Sequence, residues 1–236
     1  MSIEAETDTA ATGAQLAGAP EEEIAEALRN MIRGPEYPCV GAKSVVNRNT
    51  VDVAVFDSMA EPESTSLLFD RLSAFVTAPC DEKPADDNGF RSFIAAFRGP
   101  VPASEEEFER LLWRQLDLLR DLDPSGWDPA VSSDPTNPHF CFSVAGTAAF
   151  VIGMHPLASR LARRSPLPVL VFNPHAQFER LRAAGGYDRV RDVVRRRDAK
   201  LQGTINPMVA DHGQGSEARQ YSGRVVDAGW RAPLDK

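Results

Sequence analysis

Two of the four histidines share one local context, Asn-Pro-His-x-x-Phe, at residues 137–142 and again at 173–178. Imidazole serves as general base, metal ligand and proton switch, so its repeated placement is the first chemistry to weigh. The contexts diverge after the histidine. FCFSVAG following His139 alternates like a strand, whereas FERLRAA following His175 has the helical period, so the pair is not a duplicated module. What they share is local: asparagine before proline is driven extended or into a turn, and proline removes a donor. Each copy then sets an imidazole at the start of an element. His155, in GMHP, adds a third at a strand end, and Asn206-Pro207-Met208 repeats the turn without an imidazole.

The donors around these histidines narrow the chemistry. The chain has no HxH and no HExxH, and Cys39, Cys80 and Cys141 form no CxxC, which argues against a closed zinc site or a disulfide framework. A non-haem iron site with two histidines and one carboxylate stays open, because its ligands need not be close in sequence. A Ser-His-Asp hydrolase would want a nucleophile elbow, and SVAG is no GxSxG. Cys141 beside a histidine would make a thiol catalyst, yet in the alternating run HFCFSV it reads as a small core residue. A porphyrin asks for an axial ligand and for cations to hold its propionates. GMHPLASRLARR offers both: His155, then Ser159, Arg160, Arg163 and Arg164 on a short basic helix. The same residues would serve a non-enzymatic haem-binding protein.

The net charge of -8 argues against a nucleic-acid surface, which needs a basic stripe. The charge is unevenly placed. Residues 1–36 and 103–134 are acidic, while Arg160, Arg163, Arg164, Arg180, Arg182, Arg189, Arg191, Arg195, Arg196 and Arg197 crowd one interval. Most of these read as a solvated helix face, and a minority is available to an anionic ligand. No apolar run approaches a membrane span. The acidic, polar start is neither a signal nor a transit peptide, so a cytoplasmic location is expected.

The elements that must position these residues follow from periodicity. Residues 1–20 read as a disordered leader, and 21–236 as one domain with a polar C-terminal covering segment. Helices are expected from Pro20 to Gly34, over 62–79, and over 104–122, where Ser104 and Glu107 form a capping box. Strands are expected over 50–57, in FRSFIAAFRGP, HFCFSV, TAAFVIGM and PVLVF, with Gly146 in a tight hairpin. DPSGWDPAVSSDPTNP is a long ordered loop or lid, and two further helices follow His175. The fold class is α+β: a mostly antiparallel mixed sheet flanked by helices.

Four blocks carry a resemblance. NPHFCFSVAGTAAFVIGMHPLASRLARRSPLPVLVFNPHAQFERLR, RRRDAKLQGTINPM and GQGSEARQYSGR resemble the signature blocks of the YqcI/YcgG family, and YPCVGAKS resembles its N-terminal block. The resemblance spans roughly 35–226. It implies haem-dependent N-hydroxylation of guanidine groups, as in arginine hydroxylation for D-cycloserine and pre-guanitoxin hydroxylation. It further implies haem b, an external electron donor or redox partner, dioxygen, and a small guanidine- or amine-bearing substrate. A homodimer is an expected assembly. His212 stands where the family usually has phenylalanine and is not counted as a ligand. His155 ranks first as the iron ligand, then His175, then His139, with Arg160, Arg163, Arg164 and Arg219 near the cofactor. A buried guanidinium must be paired, so Glu179, Glu217 and Asp198 are the candidate carboxylates, with Tyr221 beside them.

Overall fold

The structure is a computed structural model that describes residues 13–78, 89–208 and 215–233. The expected leader up to residue 12, Cys80, most of the loop after it and His212 lie outside the described residues.

Five strands make one open sheet in the order β1-β2-β5-β4-β3. β1 (Val51–Ser58) runs through α4 (Pro62–Thr77) into the parallel β2 (Ser92–Gly99), whereas β2–β5, β5–β4 and β4–β3 are antiparallel. The parallel pair was not foreseen: a 16-residue helix is long enough to carry the chain back for a crossover. β3 (Phe142–Val144) and β4 (Thr147–Met154) meet in the hairpin anticipated at Gly146. Ala145 and Gly146 both have positive φ, as a two-residue turn matching strand twist requires.

Alternation along the strands sends two sets of side chains to opposite faces. Ala54, Phe56, Phe93, Ala95, Phe97, Ala149, Val151, Leu170 and Phe172 pack under α4 and α5 (Glu105–Leu122). Val51, Val53, Ile94, Ala96, Val169 and Met154 pack under α1 (Gly13–Ala17), α2 (Glu21–Arg33) and α3 (Val40–Asn47). The result is a three-layer single unit with a buried sheet. At the start of α5, Ser104 Oγ accepts the Glu107 amide at 3.2 Å, while the Glu107 carboxylate reaches back to the Ala103 amide at 2.6 Å. Its buried Gln115 accepts from Ala60 N and donates to Thr65 Oγ1, both at 2.8 Å, and so ties α5 to the β1–α4 turn.

Three local readings change. Helix α1 lies inside the expected leader, where it buries Leu16 and sets Gly13 against the Pro166 carbonyl. Helix α3 has no clear signal in VGAKSVVN, being short, β-branched and glycine-bearing; it forms because Val45 and Val46 are buried and Cys39 caps it. The basic segment after His155 is only a 3-10 turn at Leu161–Arg163. The linker 123–141 is an ordered loop: Asp123 accepts the Ala145 amide at 2.6 Å, Asp128 accepts the Ala148 amide at 2.9 Å, and Trp127 packs on Phe140 and Phe142.

β5 (Val169–Pro174) leads into α6 (His175–Ala183) and α7 (Tyr187–Gln202). The tail then returns to β4, whose partner β3 pairs only as far as Ala149. Beyond it the Gly153 amide donates to the Tyr221 carbonyl at 2.7 Å, and Arg224 and Ser222 bond the buried Glu109 of α5. A Cβ at Gly153 would meet Phe108 Cε1 at 2.6 Å, Leu112 Cδ1 at 2.7 Å and Tyr221 O at 2.8 Å. Gly153→Ala is therefore expected to cost about 1–3 kcal/mol and to loosen the tail. Urea unfolding with limited proteolysis checks this; unchanged stability and unchanged tail protection would contradict the docking.

Candidate functional site

The sheet face under α3, α6 and α7 is incompletely covered. Val53, Ile94, Val171 and Ile152 are successive cross-strand neighbours in one row. Val53 and Ile94 are buried at 7% and 2% exposure, yet Val171 and Ile152 on the inner strands β5 and β4 keep solvent access, as does Phe150. Apolar side chains in the middle of a covered sheet stay accessible only where the covering layer stands off. α7 takes its main contacts from α3, α6 and the 161–163 turn, and the one residue it buries is Asp198. A cleft floored by Phe150, Ile152 and Val171 follows.

One end of the cleft gathers Tyr37, Cys39 and Arg163. Tyr37, like Ile152 and Val171, packs against the apolar cluster of this face, and Arg197 of α7 donates to its carbonyl at 3.1 Å. Cys39 Sγ accepts the Ala42 amide at 3.4 Å at the N-terminus of α3. Arg163 donates to the Gly153 carbonyl at 3.0 Å and to the Gln220 carbonyl at 3.1 Å. Those two bonds leave three of its five N–H groups. Burial lowers its pKa, while Tyr37, Cys39 and Asp198 oppose the shift from nearby. Burial likewise raises the Tyr37 phenol and the Cys39 thiol; the Ala42 and Gly41 amides and Arg163 pull the thiol back.

The other end holds a different group. The thiol of Cys141, the imidazole of His175 and the carboxylate of Glu217 bring their donor atoms within 4.8 Å of one another. Cys141 lies just before β3, His175 opens α6 at the end of β5, and Glu217 sits in a 3-10 turn of the tail, residues 217–220. Tyr221 Oη donates to Glu217 Oε1 at 2.6 Å and accepts the Phe142 amide at 3.0 Å. Its ring stacks on Trp113, centroids 5.6 Å apart, and meets Phe150 edge-on. Burial raises the Cys141 thiol well above its ordinary value, and the Glu217 charge adds to the shift. Burial pushes the Glu217 carboxyl up to about 7, against the thiol, the Tyr221 hydroxyl and the more distant Arg182.

The remaining candidates are placed elsewhere. His155 is buried in the opposite layer, stacked on Phe108 of α5 with centroids 4.3 Å apart. Among the described residues its buried Nδ1 has no hydrogen-bond partner, and burial lowers its pKa. His139 is exposed in the linker, where Asn137 Oδ1 accepts its amide at 2.8 Å in an Asx turn. Asn173 forms no such turn: it is buried in β5, accepting Ser92 Oγ at 2.7 Å. The two Asn-Pro-His copies thus share sequence without sharing a conformation.

Arg160 is paired with the buried Asp198, Arg164 donates to the Ala158 carbonyl, and Arg219 donates to the Val226 and Asp227 carbonyls. Glu179 pairs with Arg182 and lies 3.2 Å from His175 Nε2. Of the three candidate carboxylates, Glu217 has no basic side chain in ion-pair contact among the described residues. Sequence reasoning missed Cys39 as a site residue and read Cys141 as core. YPCVGAKS held the only signal for Cys39; nothing local in the sequence couples residues 141, 175 and 217.

The family model described as the YqcI/YcgG family matches residues 28–235, and the chain belongs to that family. It is similar to the uncharacterized protein YcgG of Bacillus subtilis (strain 168), 23% identical over 193 residues that cover 78% of this chain and 74% of that protein. No solved structure matches the chain. No described helix is long and apolar enough to cross a membrane.

Glu217 generates a pH prediction for the protein without cofactor or metal. A carboxyl raised from 4.5 to about 7 binds its proton more tightly folded than unfolded. Its contribution to stability is full below about pH 4.5 and is lost as pH rises through about 7. The loss is on the order of 3 kcal/mol. Glu217→Gln stays neutral and should lack that decline. Urea midpoints of both proteins at pH 5 and pH 8 check it; parallel profiles would refute the shift.

Proposed function

We propose that this YqcI/YcgG-family protein is a haem-dependent oxygenase that hydroxylates a guanidine or amine nitrogen of a small arginine-like substrate. The observation that carries this reading is the half-buried apolar floor of β4 and β5, with a thiol at one end beside an arginine that has no carboxylate in ion-pair contact among the described residues. That donor set fits haem, which needs an apolar bed, one axial ligand and cations for its propionates. When bound, haem supplies oxygen activation at its iron, with electrons from an external donor.

The chain's own groups divide the remaining work. Cys39 would hold the iron in this reading, in place of the histidines favoured by sequence. Burial raises its thiol, and the Ala42 amide on Sγ and Arg163 nearby offset part of that shift. Bound to iron, the sulfur would tune the metal for the oxygen chemistry that haem would supply. The N–H groups of Arg163 not bonded to carbonyls and the Tyr37 hydroxyl would hold the anionic edge. Phe150, Ile152 and Val171 would exclude water from the face. Arg197 ties α7 to the Pro35 and Tyr37 carbonyls and so holds the roof against the rim.

Purification of the full chain from haem-supplied cells tests the proposal. The protein should show a Soret band and, after dithionite and carbon monoxide, the long-wavelength band of a thiolate-ligated haem. Cys39→Ala should abolish that band, and His155→Ala and His175→Ala should retain it. With a reductant, an arginine-like substrate should gain one oxygen. A colourless protein, or an imidazole-type spectrum lost in His155→Ala or His175→Ala, would overturn the assignment. A thiolate-type haem protein with no turnover of guanidines or amines would leave a haem carrier instead of an oxygenase.

A further inference from the structure

We propose that Cys141, His175 and Glu217 form a site for a divalent transition-metal ion, separate from the cleft end that carries Cys39. The proposal does not rest on the haem reading and survives its failure.

Three arguments support it. The first is geometry. The three donor atoms come within 4.8 Å of one another, and a tetrahedral zinc-type ion separates such donors by roughly 3.4–3.6 Å. Side-chain rotation over a short distance closes the set. The second is donor type. A thiolate, a neutral imidazole and a carboxylate suit zinc or ferrous iron and suit magnesium or calcium poorly. Together with a divalent ion they sum to zero charge, as a buried site requires. The Tyr221 hydroxyl and the Cys141 thiol bond Glu217, and among the described residues no arginine or lysine is in ion-pair contact with it.

The third argument is the supporting layer. Glu179 lies 3.2 Å from His175 Nε2 and is itself bonded to Arg182, a carboxylate–histidine arrangement that fixes an imidazole for a metal. On the other side the Phe142 amide, the Tyr221 hydroxyl and Glu217 form one hydrogen-bonded chain, and Phe142 directly follows Cys141. Each ligand is therefore held by a neighbour that is not a ligand. Three protein donors leave a fourth position for water or a small ligand, the pattern of catalytic rather than structural sites.

The location gives the ion a mechanical consequence. Its ligands come from the linker, from α6 and from the tail, so one ion would tie the tail to the sheet. Cys141 is fully buried, and the ion enters when the tail lifts.

Cobalt(II) is the probe. The chelator-stripped full chain should bind one equivalent, showing the visible bands of a four-coordinate ion and a sulfur-to-cobalt charge-transfer band in the near ultraviolet. Zinc should displace it, and bound metal should slow proteolysis of the tail. Cys141→Ser should remove the charge-transfer band, and His175→Ala and Glu217→Gln should each weaken binding at least about tenfold. His139→Ala, exposed in the linker, and Cys39→Ala, at the far end of the cleft, should leave the cobalt spectrum unchanged. Wild-type protein that binds no stoichiometric cobalt, or binds it without a sulfur band or tail protection, overturns the site whatever the variants do. A sulfur band that persists in Cys141→Ser overturns it too.

Discussion

Tyr221 holds the second half of the molecule together. Its carbonyl takes the Gly153 amide where β3 has run out, its ring stacks on Trp113, and its hydroxyl bridges the Phe142 amide to Glu217. An edge strand with unpaired amides needs a partner, and a three-residue β3 cannot supply one for the whole of β4. The tail supplies it with a single residue. That solution demands a glycine in β4, because the carbonyl would lie 2.8 Å from any Cβ at position 153. The polar tail, too poor in apolar residues to fold alone, is thus ordered by Tyr221 and Trp230, both packed on Trp113, and by the Glu109 bonds to Ser222 and Arg224.

The same docking creates the chemistry. Glu217 precedes Tyr221 by one turn, so anchoring the tyrosine delivers a carboxylate to Cys141 and His175. The cost is a carboxyl whose pKa is raised by burial, with neutral donors in contact. Structural economy alone would favour an arginine partner there, as Asp198 and Glu109 have elsewhere. Arg160, Arg164, Arg182, Arg191 and Arg197 are committed to carbonyls or to other acids, whereas Arg163 bonds two carbonyls and has no carboxylate in ion-pair contact among the described residues. Most of that basic run is scaffolding for turns and for α7.

Sequence periodicity reached the strongly patterned elements: α2, α4, α5, β1, β2, β4 and β5 all carry their own signals. It failed where formation depends on distant partners. Helix α3 exists because two valines find the sheet and Cys39 caps the first turn, neither of which VGAKSVVN announces. The histidines illustrate the same limit. His155 and His175 look equivalent as imidazoles at element ends, yet one is covered by Phe108 from a helix about fifty positions upstream. The other joins a thiol and a carboxylate from segments 34 residues before it and 42 after it. No local pattern encodes such a meeting.

The two ends of the cleft also differ in how a guest would be recognised. At the Arg163 end the protein offers N–H and O–H donors and an apolar floor, which suit a flat guest with an anionic edge. At the Glu217 end it offers a thiol, an imidazole and a carboxylate, which suit a cation. Gly153 lies four steps along β4 from Ala149, roughly 13 Å, so the ends stand about a small cofactor apart. α7 lies against α3, α6 and the 161–163 turn, and Asp198 is the residue it buries among those described. Its side chains fasten it through an ion pair to Arg160 and through Arg197 to the Pro35 and Tyr37 carbonyls, so polar bonds rather than a buried apolar face hold it.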